Sequence, residues 1–254
     1  MRLDLFLVQQ KLAHSRTQAQ EFIQGGFVLL KKENTTQILK KSSYDVTEDL
    51  MPFISVQKND FQKYVSRAGL KLESAVHFLK LNIAGKKVLD VGQSTGGFTD
   101  FLLQNNAAFV LGFDVGQSQL HPSLKNHERM LSFEGLHIKD LANSSNFLKQ
   151  VPAKGFDLIV LDVSFISLGK VIGFLKPYLA DQGEYLFLVK PQFEVGPDAL
   201  DKNGLVKEVK SYQTVENKIK LEVEQVFGKP LQYFKSQLTG KDGNQEFFIY
   251  GKNN

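Results

Sequence analysis

Three acids and one lysine in this 254-residue chain stand at the ends of short apolar runs. Asp90 lies in Val88-Leu89-Asp90-Val91, and Asp114 closes Phe109-Val110-Leu111-Gly112-Phe113. Asp162 follows Phe156 to Leu161, and Lys190 follows Tyr185 to Val189. Such runs read as buried strands, and in open α/β sheets ligands sit beyond the carboxyl ends of the strands. A lysine placed there is uncommon for a structural role, and an aspartate from the adjacent strand could offset its charge. Asp114 can accept both ribose hydroxyls of a nucleoside ligand; the competing reading is a helix N-cap before a segment Gly116 to Lys125. A second lysine, Lys71, sits among apolar neighbours on a helical pattern. Most lysines of that kind are surface residues that snorkel.

The first acid opens a glycine turn, Asp90-Val91-Gly92-Gln93-Ser94-Thr95-Gly96-Gly97-Phe98, between an apolar strand and a helical stretch. Its Asp-x-Gly-x-x-x-Gly-Gly spacing is neither the Gly-x-Gly-x-x-Gly of dinucleotide enzymes nor a Walker loop with its Lys-Ser/Thr. Such a loop suits a ligand with an adenosine and a compact amino-acid arm, such as S-adenosylmethionine. On the loop alone, another α/β nucleotide fold remains open.

These groups need a scaffold, and the pattern predicts an α/β protein of two domains. Strands and helices alternate from Lys86 onward, with helices expected over Leu168 to Leu179 and Ser211 to Phe227. Two late strands, Leu231 to Phe234 and Glu246 to Tyr250, close the chain. The expectation is a Rossmann-like, mostly parallel seven-stranded sheet with an antiparallel strand at or near one edge. Ahead of it, two short helices and β structure form a small α+β domain, with Ser15 as N-cap of the second helix. A polar junction, Gln57 to Ser66, separates domains 1–60 and 61–254.

Charge and composition narrow the function. The net charge is +4, and the segment 1–41 holds seven Lys/Arg against three acids, so the rest of the chain sums to zero. Arg2, Lys11, Arg16 and Gln20 fall along one edge of the small domain, where a polyanion would land. Zero cysteines rule out disulfides and thiolate metal sites and are consistent with a cytoplasmic location. The five histidines show no ligand spacing, so no metal is expected. No apolar run is long enough to cross a membrane, and the N-terminus does not look like a signal peptide.

Residues Arg2-Leu3-Asp4, Ser15-Arg16, Ala19, Ile23, Gly26 and Val28 resemble the S4 RNA-binding domain. The order Lys71, Asp162, Lys190, Glu246 resembles the tetrad of FtsJ-type ribose 2′-O-methyltransferases. Its contexts match too: Asp162-Val163-Ser164-Phe165, Val189-Lys190-Pro191-Gln192-Phe193-Glu194 and Gly243-Asn244-Gln245-Glu246-Phe247. With Tyr64-Val65-Ser66-Arg67-Ala68-Gly69-Leu70-Lys71 between them, the whole chain resembles the TlyA family, also known as haemolysin A. The resemblance implies methyl transfer from S-adenosylmethionine to a ribose 2′-hydroxyl, of cytidine, in ribosomal RNA. It implies Lys190 as base, Asp162 as its orienter, and Lys71 and Glu246 as ribose-positioning groups. The cofactor would be held by Asp90, Gly92, Ser94, Thr95, Gly96, Gly97, Phe98, Asp114, Val115, His137 and Asp162. RNA and ribosomal subunits would be met by Arg2, Lys11, Arg16, Gln20, Lys31, Lys32, Lys63 and Arg67. Competing readings are an RNA-binding, ribosome-associated factor without catalysis, a membrane-active haemolysin and a nicotinamide dehydrogenase. The family usually has alanine where Gln93 stands.

Overall fold

The structure is a computed structural model that describes residues 1–32, 35–57, 62–240 and 242–253. The chain divides into two compact units, Met1–Leu70 and Lys71–Asn254. The boundary expected between residues 60 and 61 falls within 58–61, outside the described residues.

In the first unit, α1 (Leu3–Gln9) and α2 (Arg16–Gln24) precede an antiparallel sheet of β1 (Val28–Lys32), β2 (Thr35–Ile38) and β3 (Ile54–Val56) in the order β2-β1-β3. Leu3, Phe6, Leu7, Ala19, Phe22, Ile23 and Val28 make its core. Ser15 caps α2 as expected, its Oγ accepting from Gln18 N at 3.2 Å. Helix α1 is shorter than the apolar spacing to Leu12 suggests, because Lys11 turns left-handed at φ +56°. Near the end of the unit Tyr64 is buried against Gly69, where a Cβ would lie 2.5 Å from the Tyr64 ring. Any larger residue at 69 would displace that ring.

The second unit holds a seven-stranded sheet in the order β6-β5-β4-β7-β8-β10-β9. Its strands are β4 (Lys87–Val91), β5 (Phe109–Asp114), β6 (Met130–Glu134), β7 (Phe156–Leu161), β8 (Leu179–Val189), β9 (Gln232–Lys235) and β10 (Phe247–Lys252). The first five are parallel, and β10 is antiparallel to both β8 and β9. Strand order reverses between β4 and β7, the switch point at which such sheets bind ligands. Its helices are α3 (Ala68–Leu79, which begins in the first unit), α4 (Gly97–Gln104), α5 (Ser145–Leu148), α6 (Gly169–Ile172) and α7 (Lys210–Phe227). Tyr185, Phe187, Val189 and Ile249 pack with Val215, Ile219, Val223 and Phe227 of α7. The alternate residues Val88, Val110, Leu158, Leu186 and Phe248 are equally buried, so both faces of the sheet are covered.

One expectation and one competing reading are corrected. The helix expected over Leu168 to Leu179 ends at Ile172. Gly173 and Pro177 cut the periodic run, a single 3-10 turn follows at Lys176–Tyr178, and β8 begins at Leu179. The segment 116–125 is a series of turns, so Asp114 caps no helix there.

Candidate active site and RNA-facing surface

The ends of three adjacent strands gather the predicted tetrad. Phe247 of β10 pairs with Val189 of β8, which sets Glu246 and Lys190 side by side, and Leu161 of β7 pairs with Phe187 of β8, which brings up Asp162. Lys190 Nζ lies 2.6 Å from Asp162 Oδ1 and donates to Ser164 Oγ at 2.8 Å. Lys71, from α3, donates to Glu246 Oε2 at 2.5 Å. The site is thus two lysine–carboxylate pairs. They differ in access: the Lys71 and Glu246 side chains are 8% and 3% exposed, those of Lys190 and Asp162 11% and 17%. Burial pushes the Glu246 carboxyl up, against the pull of Lys71, and the nearby Asp162 charge adds to the rise.

The glycine loop lies at the switch point. A Cβ on Gly92 would come within 2.6 Å of the Asp162 carbonyl oxygen, and its φ is +81°, so both space and backbone demand glycine. Ser94 and Gly96 are also left-handed, at φ +48° and +92°. Thr95 lies in this turn, its carbonyl accepting from His121 N. Gly97 opens α4, whereas the Phe98 ring is buried and offers a ligand only its backbone. Asp114 ties the loop to β5: Oδ2 accepts from Ser94 N at 2.8 Å and Oδ1 from Gly116 N at 2.7 Å. Each oxygen keeps a further lone pair for a ribose hydroxyl. Val115, next to it, is 64% exposed. His137 Nδ1 accepts from Lys139 N at the start of a 3-10 turn.

Asp90 is the unusual member of this set. It is fully buried, Oδ2 accepts from Thr99 Oγ1 at 2.6 Å, and Oδ1 has no hydrogen-bond partner among the described residues. Burial pushes its carboxyl up to about 7, and the Asp162 and Asp114 charges add to the rise. A buried carboxylate oxygen without a donor is costly in a bare protein. Beside two further carboxylates it is the complement of a cationic, hydrogen-bonding ligand group. An ammonium meets these acceptors with hydrogen bonds and a sulfonium with its charge alone, and S-adenosylmethionine carries both.

On the first unit Asp4 is buried and accepts five hydrogen bonds. They come from Arg2 Nε and Nη2, Arg16 Nε, Gln20 Nε2 and Leu5 N at 2.8–3.1 Å. The Arg2 bonds, the largest cause, hold its carboxyl well below the usual range. Arg2 and Arg16 remain 47% and 54% exposed. Lys11, Lys31, Lys32 and Lys63 are exposed as well, Lys32 lying 3.9 Å from Asp49 and Lys63 over the Tyr64 ring, while Arg67 is half-buried. The remaining arginine, Arg129, caps the end of α4 by donating to the Leu103 and Ala107 carbonyls.

Sequence reading missed several groups around the tetrad. Ser164 holds Lys190, and Glu194 fixes the following loop by accepting from Ser167 Oγ and Leu168 N while pairing with Lys218 at 2.8 Å. Phe165 is 90% exposed with φ +65° and its ring 5.1 Å from Phe193. Its place just beyond Asp162 was the only available signal. Among the described residues no group of three or more His, Cys, Asp or Glu could hold a metal, and no helix is long and apolar enough to cross a membrane.

A doubly wound sheet with a glycine turn and acidic strand ends at its switch point defines a nucleotide-cofactor enzyme. The family comparisons narrow the class. Residues 64–253 match the FtsJ-like methyltransferase model and residues 1–33 the S4 domain model. The chain belongs to the FtsJ-like methyltransferase family, carries an S4 domain in front, and uses S-adenosylmethionine. It is 34% identical over 271 residues to the 23S rRNA (cytidine-2′-O)-methyltransferase TlyA of Campylobacter jejuni, covering 98% of each chain. It is 33% identical over 250 residues to Hemolysin A of Brachyspira hyodysenteriae, covering 98% of this chain and 99% of that one. A solved structure from Streptococcus thermophilus that carries a hemolysin name superposes with a TM-score of 0.75 at 29% identity, over 100% of this chain and 88% of that one.

Proposed function

We propose that the protein methylates a ribose 2′-hydroxyl, of a cytidine, in ribosomal RNA, with Lys190 as general base. The observation that carries this reading is the pairing of two lysines with two carboxylates at the ends of β7, β8 and β10, with the Lys190 pair the more accessible. S-adenosylmethionine supplies a methyl carbon already bonded to a good leaving group. The remaining task is to align a weak nucleophile and remove its proton as the oxygen–carbon bond forms. In its amine form Lys190 takes that proton, while Asp162 and Ser164 fix the position of Nζ. Lys71 and Glu246, locked together, present a fixed charge pattern to the ribose. Asp90, Asp114 and the turn from Gly92 to Gly97 hold the cofactor, with Val115 and His137 on the adenine side.

Phe165 supports a nucleic-acid substrate. An exposed ring on a strained backbone, beside Phe193 and beyond Asp162, is a platform for a base drawn out of its stack. Arg2 and Arg16 give the S4 domain its phosphate-binding edge, consistent with a ribosomal subunit as partner.

Single-turnover methylation of ribosomal subunits tests the base. Lys190→Ala is expected to keep S-adenosylmethionine binding and its melting temperature but to lose at least ~10²-fold in rate. Lys190→Arg should be nearly inactive as well, because a guanidinium does not give up its proton near neutral pH. An active Lys190→Arg enzyme would show that Lys190 only places charge. Mapping ribose methylation in the product tests the cytidine.

A further inference from the structure

Beneath the glycine turn runs a buried chain of hydrogen bonds that the roles above do not use. Ser132 Oγ of β6 donates to Gln93 Oε1 at 2.5 Å, and Gln93 Nε2 donates to Thr99 Oγ1 at 2.8 Å. Thr99 Oγ1 in turn donates to Asp90 Oδ2 at 2.6 Å. Gln93 is 4% exposed, and Thr99 and Asp90 are fully buried. Room for the glutamine comes from Gly112 of β5, where a Cβ would lie 2.1 Å from Gln93 Nε2. A hydroxyl has one proton. Because Gln93 donates to the Thr99 oxygen, the Thr99 proton is committed to Asp90 Oδ2. One carboxylate oxygen is thereby satisfied inside the protein, and the other, Oδ1, is left without a partner among the described residues.

We propose that Gln93 is a positioning residue for the cofactor site, acting through Thr99 to fix the Asp90 carboxylate with Oδ1 available to the cationic end of S-adenosylmethionine. The inference rests on the reading that Asp90 helps hold the cofactor. Its logic is that of outer-shell partners in general: they set the orientation and charge of a group that touches the ligand. Two observations meet here, the directional chain and the partnerless oxygen at its end. The charged groups that face Asp90 are Asp162 beyond β7 and Asp114 at the end of β5, and Lys190 is paired with the first of these. Neither aspartate can donate when ionised, so Thr99, through its hydroxyl proton first and its backbone N–H second, is what favours the Asp90 anion over its neutral form.

The test uses the full-length protein and calorimetry with S-adenosylmethionine, with melting temperatures recorded alongside. Gln93→Met, similar in volume but without the amide, should weaken binding on the order of three- to tenfold, the scale of one hydrogen bond. In an Asp90→Asn background the same change should add nothing, because Gln93 then has no carboxylate to act through. Thr99→Val breaks the chain at its next link and should give the same loss; it also carries the test where Gln93→Met does not fold. In Thr99→Val the acidic limb of the binding-versus-pH curve should move to higher pH, because the Asp90 anion has lost its hydroxyl donor and keeps only the backbone one. A merely structural glutamine would lower the melting temperature without moving affinity or that limb. Unchanged affinity in both variants, or an equal loss with and without the Asp90 carboxylate, overturns the proposal. Should Asp90→Asn alone bind the cofactor like the wild type, the underlying reading of Asp90 fails instead.

Discussion

Asp4 and Asp90 are both fully buried aspartates, one in each unit, and they differ in almost everything that follows from burial. Asp4 receives five donors, two of its partners carry positive charge, and its carboxyl is held low. Asp90 receives its protein donors from Thr99 alone, keeps Oδ1 unpaired, and is pushed up to about 7. A desolvated carboxylate is tolerated when charge and hydrogen bonds replace the water it has lost. Asp4 meets that condition from its own sequence, through Arg2, Arg16 and Gln20, and so organises an arginine edge. Asp90 does not meet it among the described residues. A ligand that brings donors to Oδ1 would complete its shell. Completeness of the shell, rather than burial, separates the carboxylate that builds a surface from the one that awaits a partner.

The comparison breaks most visibly at Asp4. Asp4→Ala removes the acceptor of five donors, and a loss of about 2–4 kcal/mol is expected, discounted from a fully buried pair because both arginines can turn to water. Differential scanning calorimetry should show the low-temperature edge of unfolding move down by several degrees while S-adenosylmethionine affinity stays unchanged. Loss of cofactor binding in that variant would refute the independence of the two shells. Asp90→Asn should do the opposite, weakening the cofactor on the order of tenfold with little loss of stability.

The two carboxyls also predict opposite pH dependences. Asp90 holds its proton up to about 7 in the folded chain, against an ordinary 3.8. Between those values the folded form binds more protons, so this group makes stability fall as pH rises from about 4 to about 7 and then level off. Asp4 has a folded value below the ordinary one, so its contribution is present above about 4 and is lost as pH falls further. Asp90→Asn should therefore gain melting temperature relative to the wild type at pH 8 and lose that advantage at pH 4. A constant difference across that range would remove the assignment of this slope to Asp90.

Much of this was legible in the sequence because the second unit is regular. Strands from Val88, Phe109, Phe156 and Tyr185 announced themselves as apolar runs, and the glycine turn and strand-end acids followed from them. Helix α6 was misread because apolar spacing over 168–179 outweighed Gly173 and Pro177, which the chain obeys. The tetrad residues were visible through a family pattern, and Asp162 was expected beside Lys190, but the pairing of Lys71 with Glu246 was not visible. Lys71 and Glu246 are 175 residues apart, and only the antiparallel placement of β10 beside β8 determines who meets whom. The Gln93 chain was hidden for a related reason. Its links join a turn, a helix and two strands, and the room for Gln93 depends on Gly112, whose role no local spacing reveals.

The smallest expected effect lies back on the Asp4 side. Arg16 contacts Asp4 through Nε alone, and its two terminal amines make no hydrogen bond among the described residues. It therefore spends one donor on holding its place and presents the outer edge of the guanidinium to solvent, the geometry that grips a phosphate. Arg16→Lys keeps the charge but cannot do both, since a single ammonium either bonds Asp4 or reaches outward. Because Arg16 is 54% exposed, the melting temperature should change by less than about 2 °C. Affinity for an rRNA fragment at fixed salt should fall about threefold, and the slope of log affinity against log salt should flatten by up to about one phosphate contact. An unchanged affinity and slope would leave Asp4 and its arginines as a fold-stabilising cluster only. The contrast with Asp90 would then be one of stability against binding, and not of two binding surfaces built in different ways.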